Sequence, residues 1–272
     1  MGCVRNLLKT SVLPRLEAQM LLQHVLGVPR VWLITHDADP LEPALVARYH
    51  ALAEQRMAGR PMAYLLGSRE FMGHRFSVSP AVLIPRPETE LLVETALAHL
   101  EQGNGSQPRV LDLGTGSGAI AISIALACGN ASVVATDVSD EALALARENA
   151  RQLSARVEFL SGNWYHALSG QPAFDLIVSN PPYISANDPH LKQGDLRFEP
   201  VGALTDGADG LDALREIVSG AQSWLTPEGA LWMEHGWDQA SAVRELLQRA
   251  GFKQVKSLPD LAGIERISGG YL

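Results

Sequence analysis

Cysteine is almost absent from this chain. Cys3 and Cys128 are its only two in 272 residues, which excludes a disulfide framework and a cysteine-based metal quartet and fits a reducing compartment. No long uncharged apolar run occurs, so no membrane helix is expected. The opening stretch MGCVRNLLKT has Asn6 where a myristoylated Gly2 would call for Ser or Thr, and no apolar segment precedes Cys3. A cytoplasmic protein without a membrane partner is expected. Also missing are a phosphate-binding P-loop, a zinc-ligand spacing and a nucleophile elbow. The eight histidines form no ligand pattern, so no metal is expected, and His166 and His235 read as structural.

Positive charge is in short supply too. The net charge is −8, and it is unevenly spread. Residues 1–80 hold nine Lys/Arg against six Asp/Glu, whereas residues 81–272 hold thirteen against twenty-four. An acidic main body argues against a broad footprint on duplex nucleic acid, which needs a basic face. The slightly basic front portion reads either as a solvated surface or as a face for an acidic partner.

What is present divides along the chain. The first sixty residues carry apolar residues at helical spacing: Leu13, Leu16, Met20, Leu21 and Val25, then Leu45, Tyr49 and Leu52. These predict a small helical bundle with the leucines as core, ended by Gly59-Arg60-Pro61. REFMGHRFSVSP reads as a hairpin about Gly73. LIPRPETELLVETALAHL then turns into a helix, with Pro87 in its first turn and Glu88 and Glu90 at its positive end, and EQGNGSQP closes it as a polar loop. From Val110 onward short apolar strands alternate with helical stretches, with Ser139 as a helix cap. This predicts an α/β fold, a mostly parallel sheet covered on both faces.

LDLGTGSGA joins the first strand of that sheet to its first helix. Gly114, Gly116 and Gly118 let the backbone turn sharply beside a ligand, although glycines also serve plain turns. Asp137 ends the second strand, where a carboxylate can accept both ribose hydroxyls of a nucleoside, or merely cap a turn. Together they point to an adenosine-containing cofactor. The spacing is G-x-G-x-G and not the G-x-G-x-x-G of dinucleotide sites, and Asp112 would oppose a phosphate. S-adenosyl-L-methionine has no phosphate and carries positive amino and sulfonium groups, so it suits this acidic approach better. Trp164 after the third strand can either pack on the adenine, with Asn163 bonding the base, or fill core.

The strand FDLIVS stops at Asn180-Pro181-Pro182-Tyr183. Two prolines remove two backbone donors, and the carboxyl end of a parallel strand is where such sheets bind ligands. An amide nitrogen is planar and a poor nucleophile. Methylating it requires holding both N–H groups so that the lone pair faces the methyl carbon. The Asn180 side-chain oxygen can accept one hydrogen and the Pro181 carbonyl the other. The prolines stiffen this frame and Tyr183 gives a flat wall.

These residues together resemble the HemK/PrmC family of peptide chain release factor N(5)-glutamine methyltransferases. The likeness runs through GSREFMGHRFSV, LIPRPETELLVE, VLDLGTGSGAIAISIA, SNPPYI, DLRFEPVGAL and EHG, covering most of residues 60–240. It implies a class I methyltransferase, Rossmann-like with a mostly parallel seven-stranded sheet, behind a small N-terminal helical domain. The domains would be 1–66 for substrate recognition, 67–84 as a β-hairpin linker and 85–272 for catalysis. It implies S-adenosyl-L-methionine held by Gly114, Thr115, Gly116, Ser117, Gly118, Asp137, Trp164 and Asn180. The substrate, the glutamine of the Gly-Gly-Gln loop of release factors, would be gripped by Asn180, Pro181, Pro182 and Tyr183. Arg86, Glu88 and Thr89 would lie near the cofactor. Relatives often have Asp where this chain has Asn163, and many end in Gly-Arg where it ends ISGGYL. Glutamine methylation of a ribosomal protein and adenine N(6)-methylation of nucleic acid use the same kind of grip, and stay as alternatives. A cofactor-binding sensor and a nicotinamide dehydrogenase are the further readings.

Overall fold

A computed structural model describes residues 2–102 and 107–272 of the chain. The loop read from EQGNGSQP falls largely on 103–106, outside the described residues. The chain forms two compact units, Met1–Ser68 and Arg69–Leu272, and the hairpin falls almost wholly in the second.

Among the described residues the first unit contains five helices: α1 (Val4–Thr10), α2 (Arg15–Leu26), α3 (Arg30–Thr35), α4 (Pro43–Met57) and α5 (Met62–Leu66). Prolines start most of them. Pro14, Pro29 and Pro61 stand just before a helix and Pro43 at its first position, where a fixed φ and a missing N–H cost nothing. The core joins Leu21, Leu22, Val25, Leu33, Tyr49 and Ala53. One sequence expectation needs correction. Leu16 is not core but 60% exposed, because α2 buries the face through Ala18, Leu21, Leu22 and Val25, the i, i+3, i+4, i+7 set offset from Leu16.

The second unit opens with the hairpin β1 (Ser68–Phe71) and β2 (His74–Ser77). A 3₁₀ turn over Pro87–Thr89 leads into α6 (Glu90–Gln102). Then follow β3 (Arg109–Leu113), α7 (Ala119–Ala127), β4 (Ser132–Asp137), α8 (Asp140–Leu153), β5 (Val157–Ser161) and β6 (Phe174–Ser179). The chain ends with α9 (Asp212–Ala221), β7 (Leu225–Glu234), α10 (Ala240–Arg249), β8 (Lys253–Pro259) and β9 (Glu265–Tyr271). Ser139 caps α8 by accepting the N–H of Ala142 at 3.1 Å.

The sheet has seven strands in the order β5-β4-β3-β6-β7-β9-β8. Pairing is parallel from β5 through β7, and β9 runs antiparallel to both its neighbours. Both faces are covered, which is why the strands read as unbroken apolar runs. Val110, Leu176 and Val178 pack with α6 and α7 on one face. Leu111, Leu113 and Ile177 pack with α9 and α10 on the other, the period-2 division of a strand between faces. The Gly269-Gly270 ending has a packing cause. Gly269 pairs with Trp232, and a Cβ there would lie 2.4 Å from the buried indole. The chain leaves β3 toward β4 and β5 on one side and later builds β6 and β7 on the other. Beside the carboxyl ends of β3 and β6 is therefore the switch point where such sheets bind ligands.

Candidate active site

A cavity of about 340 Å³ opens at that switch point, within the size range of small-ligand sites. Its wall includes Gly114, Thr115, Gly116 and Ser117 from the loop after β3, Asp137 at the end of β4, Asn163 and Trp164 after β5, and Asn180 and Pro182 after β6. Four separated stretches of sequence converge here because each follows the end of a parallel strand.

The glycine loop is held from below. Its Gly114 and Thr115 N–H groups donate to the Thr136 carbonyl, both at 2.9 Å. The Gly116 N–H donates to Asp137 Oδ2 at 2.8 Å, and Ser139 N–H to Asp137 Oδ1 at 2.9 Å. Each Asp137 oxygen thus caps one backbone group and keeps lone-pair capacity toward the cavity. Gly118 does not line the cavity. It is the left-handed residue before α7, and a Cβ there would meet Ile122 and Ala146, so it lets α7 pack on α8. Behind the loop, Asn149 is fully buried. It donates to the Ser117 carbonyl at 2.9 Å and to that of Ser77 at 3.0 Å, and accepts the Ser77 N–H at 2.8 Å. One amide thereby ties α8, the hairpin and the loop together.

Asp112 lies beneath, fully buried, with Thr115 Oγ1 donating to its Oδ2 at 2.6 Å. Among the described residues its Oδ1 has no hydrogen-bond partner. Burial pushes this carboxyl up to about 7, against the Thr115 and Ala121 groups that pull it down.

Trp164 packs its ring edge near Gly114, where a Cβ would lie 3.2 Å from the indole. It is half-buried, shared between the cavity wall and the apolar layer below. Asn163, which also lines the cavity, donates its side-chain N–H to Glu216 Oε1 at 3.3 Å, which leaves its side-chain oxygen as an acceptor.

At the end of β6, Asn180 Nδ2 donates to Thr89 Oγ1 at 3.1 Å. Among the described residues nothing donates to Asn180 Oδ1 or to the Pro181 carbonyl. Pro181 is buried behind the wall and Pro182 lines it. Tyr183 donates its hydroxyl to Glu234 Oε1 at 3.0 Å, and its carbonyl accepts from Gln239 Nε2 at 3.0 Å. Thr89 Oγ1 donates to Glu234 Oε2 at 2.6 Å. Burial pushes Glu234 above the usual carboxylate range, while the Thr89 and Tyr183 hydroxyls hold it down. Burial, then the Glu234 charge, drives the Tyr183 phenol far up.

Arg86 lines the cavity and Glu199 stands behind it. Glu199 is buried, accepts the Ile84 N–H at 3.1 Å and pairs with the Arg86 guanidinium. This clamp fastens the long β6–α9 connection to the segment before α6. Sequence reasoning placed Arg86 and Thr89 near the cofactor but missed Glu199, Glu234 and Asn149. The fragments DLRFEP and EHG carried the two glutamates; nothing in the sequence singled out Asn149.

The donor set favours one class of ligand. Among the described residues Arg86 is the only Lys or Arg of the wall, and Glu199 already engages it. Among the described residues of the wall a phosphate would find no unengaged cation, whereas a cationic nucleoside would meet Asp137. Among the described residues no group of His, Cys, Asp and Glu could hold a metal ion, and no helix is long and apolar enough to cross a membrane.

Comparison with known proteins is consistent with this geometry. Residues 4–67 match the family model described as PrmC N-terminal domain, and residues 87–194 the Methyltransferase small domain. A "Release factor glutamine methyltransferase" from Bordetella pertussis is 63% identical over 272 residues, covering all of both chains. A protein of the same name from Neisseria gonorrhoeae is 51% identical over 261 residues, covering 96% of this chain and 94% of that one. Among solved structures, a 16S rRNA N2 G1207 methyltransferase from T. thermophilus aligns with TM-score 0.56 at 20% identity, over 75% of this chain and 49% of that one. A methyltransferase from Pyrococcus furiosus aligns at TM-score 0.53 and 20% identity, over 74% and 89%. These two share the fold.

Proposed function

The chain belongs to the family of release factor glutamine methyltransferases, and from that premise we infer its reaction: a methyl group passes from S-adenosyl-L-methionine to the side-chain amide nitrogen of the glutamine in the Gly-Gly-Gln motif of peptide chain release factors. The observation that carries this reading at the site is Asn180. Its NH₂ is taken by Thr89, so its oxygen is left as an acceptor beside a cavity that also holds the glycine loop and Asp137.

The residues fit the cofactor. Gly114, Thr115, Gly116 and Ser117 would lie along it, Asp137 would take its ribose hydroxyls, and Trp164 would cover the adenine. Asp112, bonded to the Thr115 hydroxyl, supports the loop from beneath. When bound, S-adenosyl-L-methionine supplies a methyl carbon made electrophilic by the adjacent sulfonium.

The protein's own part is orientation. Asn180 Oδ1 and the Pro181 carbonyl each accept one N–H of the substrate amide, which turns the nitrogen lone pair toward the methyl carbon. Pro181 and Pro182 fix the spacing of the two acceptors, so little ordering entropy is lost on binding. The Tyr183 ring, anchored at its hydroxyl by Glu234 and at its carbonyl by Gln239, gives the planar amide a wall. A strong side-chain base is not required, since the nitrogen becomes acidic as it gains the methyl and its proton passes to solvent. Fixed acceptor dipoles aimed at the developing positive charge carry most of the rate. We assign recognition of the protein substrate to residues 1–66, linkage to the hairpin within 67–84 and methyl transfer to 85–272. The −11 balance of the larger portion supports a substrate other than free nucleic acid.

Incubation with methyl-labelled cofactor and release factor carrying either Gln or Ala in the Gly-Gly-Gln loop tests the assignment. Label is expected on the Gln form alone. Equal labelling of both forms, or salt-sensitive label in nucleic acid, would contradict it.

A further inference from the structure

The side chain of Asn180 can be seated in two ways related by a half-turn of its amide, with nearly the same shape. One presents oxygen to the cavity and the other presents NH₂, which could hold neither N–H of a substrate amide. Hydrogen-bond partners alone choose between them.

Three elements meet to make that choice. Thr89, from the 3₁₀ turn before α6, has one hydroxyl proton, and its Oγ1 lies 2.6 Å from Glu234 Oε2 at the end of β7. Tyr183 also has one hydroxyl proton, and its oxygen lies 3.0 Å from Glu234 Oε1. Each hydroxyl needs an acceptor, and the carboxylate gives one oxygen to each. With its proton committed to Glu234, Thr89 Oγ1 can only accept on its other side, where Asn180 Nδ2 stands at 3.1 Å. Turning the Asn180 amide over would set two acceptor oxygens against each other. Thr89 and Glu234 are 4% and 2% exposed, so solvent does not reach in to compensate.

We infer that Thr89 and Glu234 are positioning residues for methyl transfer: a relay from the Glu234 carboxylate through the Thr89 hydroxyl holds the Asn180 oxygen toward the substrate, while the same carboxylate anchors the Tyr183 hydroxyl. This rests on the reading of Asn180 as the substrate grip. Glu234 touches no reacting atom; its two oxygens fix two separate parts of the Asn-Pro-Pro-Tyr frame.

The test compares Thr89→Val, which keeps the shape and removes the hydroxyl, with Thr89→Ser, which keeps the hydroxyl. Glu234→Gln, the Thr89→Val/Glu234→Gln double variant and Asn180→Ala complete the set. Turnover of release factor, cofactor Kd by calorimetry and melting temperature are measured for each. Thr89→Val and Glu234→Gln are expected to lose about 10- to 100-fold in kcat, the range of one hydrogen bond to a charged group. Thr89→Ser should stay within about threefold of wild type, and cofactor Kd should move less than about threefold for the Thr89 pair. The double variant should be no slower than the worse single, because both break one relay. Wild-type kcat in Thr89→Val, or equal loss in Thr89→Val and Thr89→Ser, would overturn the relay. If either result came with a dead Asn180→Ala, the reading of the site would survive; full turnover in Asn180→Ala would bring down both. Should Glu234→Gln not fold, the Thr89 pair decides alone.

Discussion

Replacing Gly118 by Ala should damage the fold, and replacing Gly116 by Ala should damage the cofactor site, although both glycines belong to one five-residue loop. Gly118 has φ +82, and a Cβ there would lie 2.8 Å from Ile122 Cδ1 and 3.2 Å from Ala146 Cβ. Both neighbours are buried between helices, so neither can swing aside into solvent. A left-handed backbone costs an alanine about 1–2 kcal/mol, and overpacking adds about 1–3 kcal/mol. The expected loss is about 2–5 kcal/mol, or roughly 4–20 °C in Tm for a unit of this size. Gly116 has φ +55 and nothing within 4 Å of its Cβ position, so it bears only the backbone cost of about 1–2 kcal/mol. Gly116 itself lines the cavity, so its added methyl would instead bear on the cofactor site. Urea unfolding followed by tryptophan fluorescence, with calorimetric titration of S-adenosyl-L-methionine at 20 °C, separates the two effects. The account predicts the larger stability loss in Gly118→Ala and the larger affinity loss in Gly116→Ala. The reverse order in either measurement would refute the assignment of the two glycines.

Three further outcomes follow from buried polar groups. Arg86→Ala leaves the Glu199 carboxylate, whose side chain is 0% exposed, without its counter-charge; a loss of about 3–5 kcal/mol is expected by chemical denaturation, partly recovered in Arg86→Ala/Glu199→Gln. Asn149→Ala strands the backbone groups of Ser77 and Ser117, and should cost about 2–4 kcal/mol and weaken cofactor binding through the loosened loop. Asp112 holds its proton up to about 7 in the folded state against 3.8 unfolded. The folded state therefore binds more protons between those values, and this site's contribution to stability falls as pH rises from about 4 to about 7, by about 4 kcal/mol in all. Asp112→Asn should flatten that slope in urea curves taken from pH 4.5 to 8; an unchanged slope would place the pH dependence elsewhere.

The parallel sheet was legible in the sequence because its strands are buried on both faces and so appear as short apolar runs between helical stretches, as in FDLIVS and RVLDL. The glycine loop, Asp137 and Asn-Pro-Pro-Tyr were legible because each ends a strand, and strand ends converge at the switch point. Leu16 misled because Leu13, Leu16 and Met20 share a helical spacing with nearly as many apolar members as the face actually buried, where Ala18 is too small to draw notice. Glycine spacing did not tell which glycine faces a ligand; only the packing of α7 against Ala146 gives Gly118 its reason. Glu199, Glu234 and Asn149 act across 115, 145 and 72 residues of sequence. A single acidic or amide residue has no periodicity to betray such a partner. Their roles became visible only when three elements were brought to one point.

The most direct measurement is the single-turnover rate of Asn180→Ala with release factor and saturating cofactor. The account predicts a fall of about 100- to 1000-fold, the usual cost of removing a preorganised group at a reacting centre, with the melting temperature kept and the glutamine unmethylated. A rate within about threefold of wild type would contradict the claim that this side-chain oxygen aims the substrate amide.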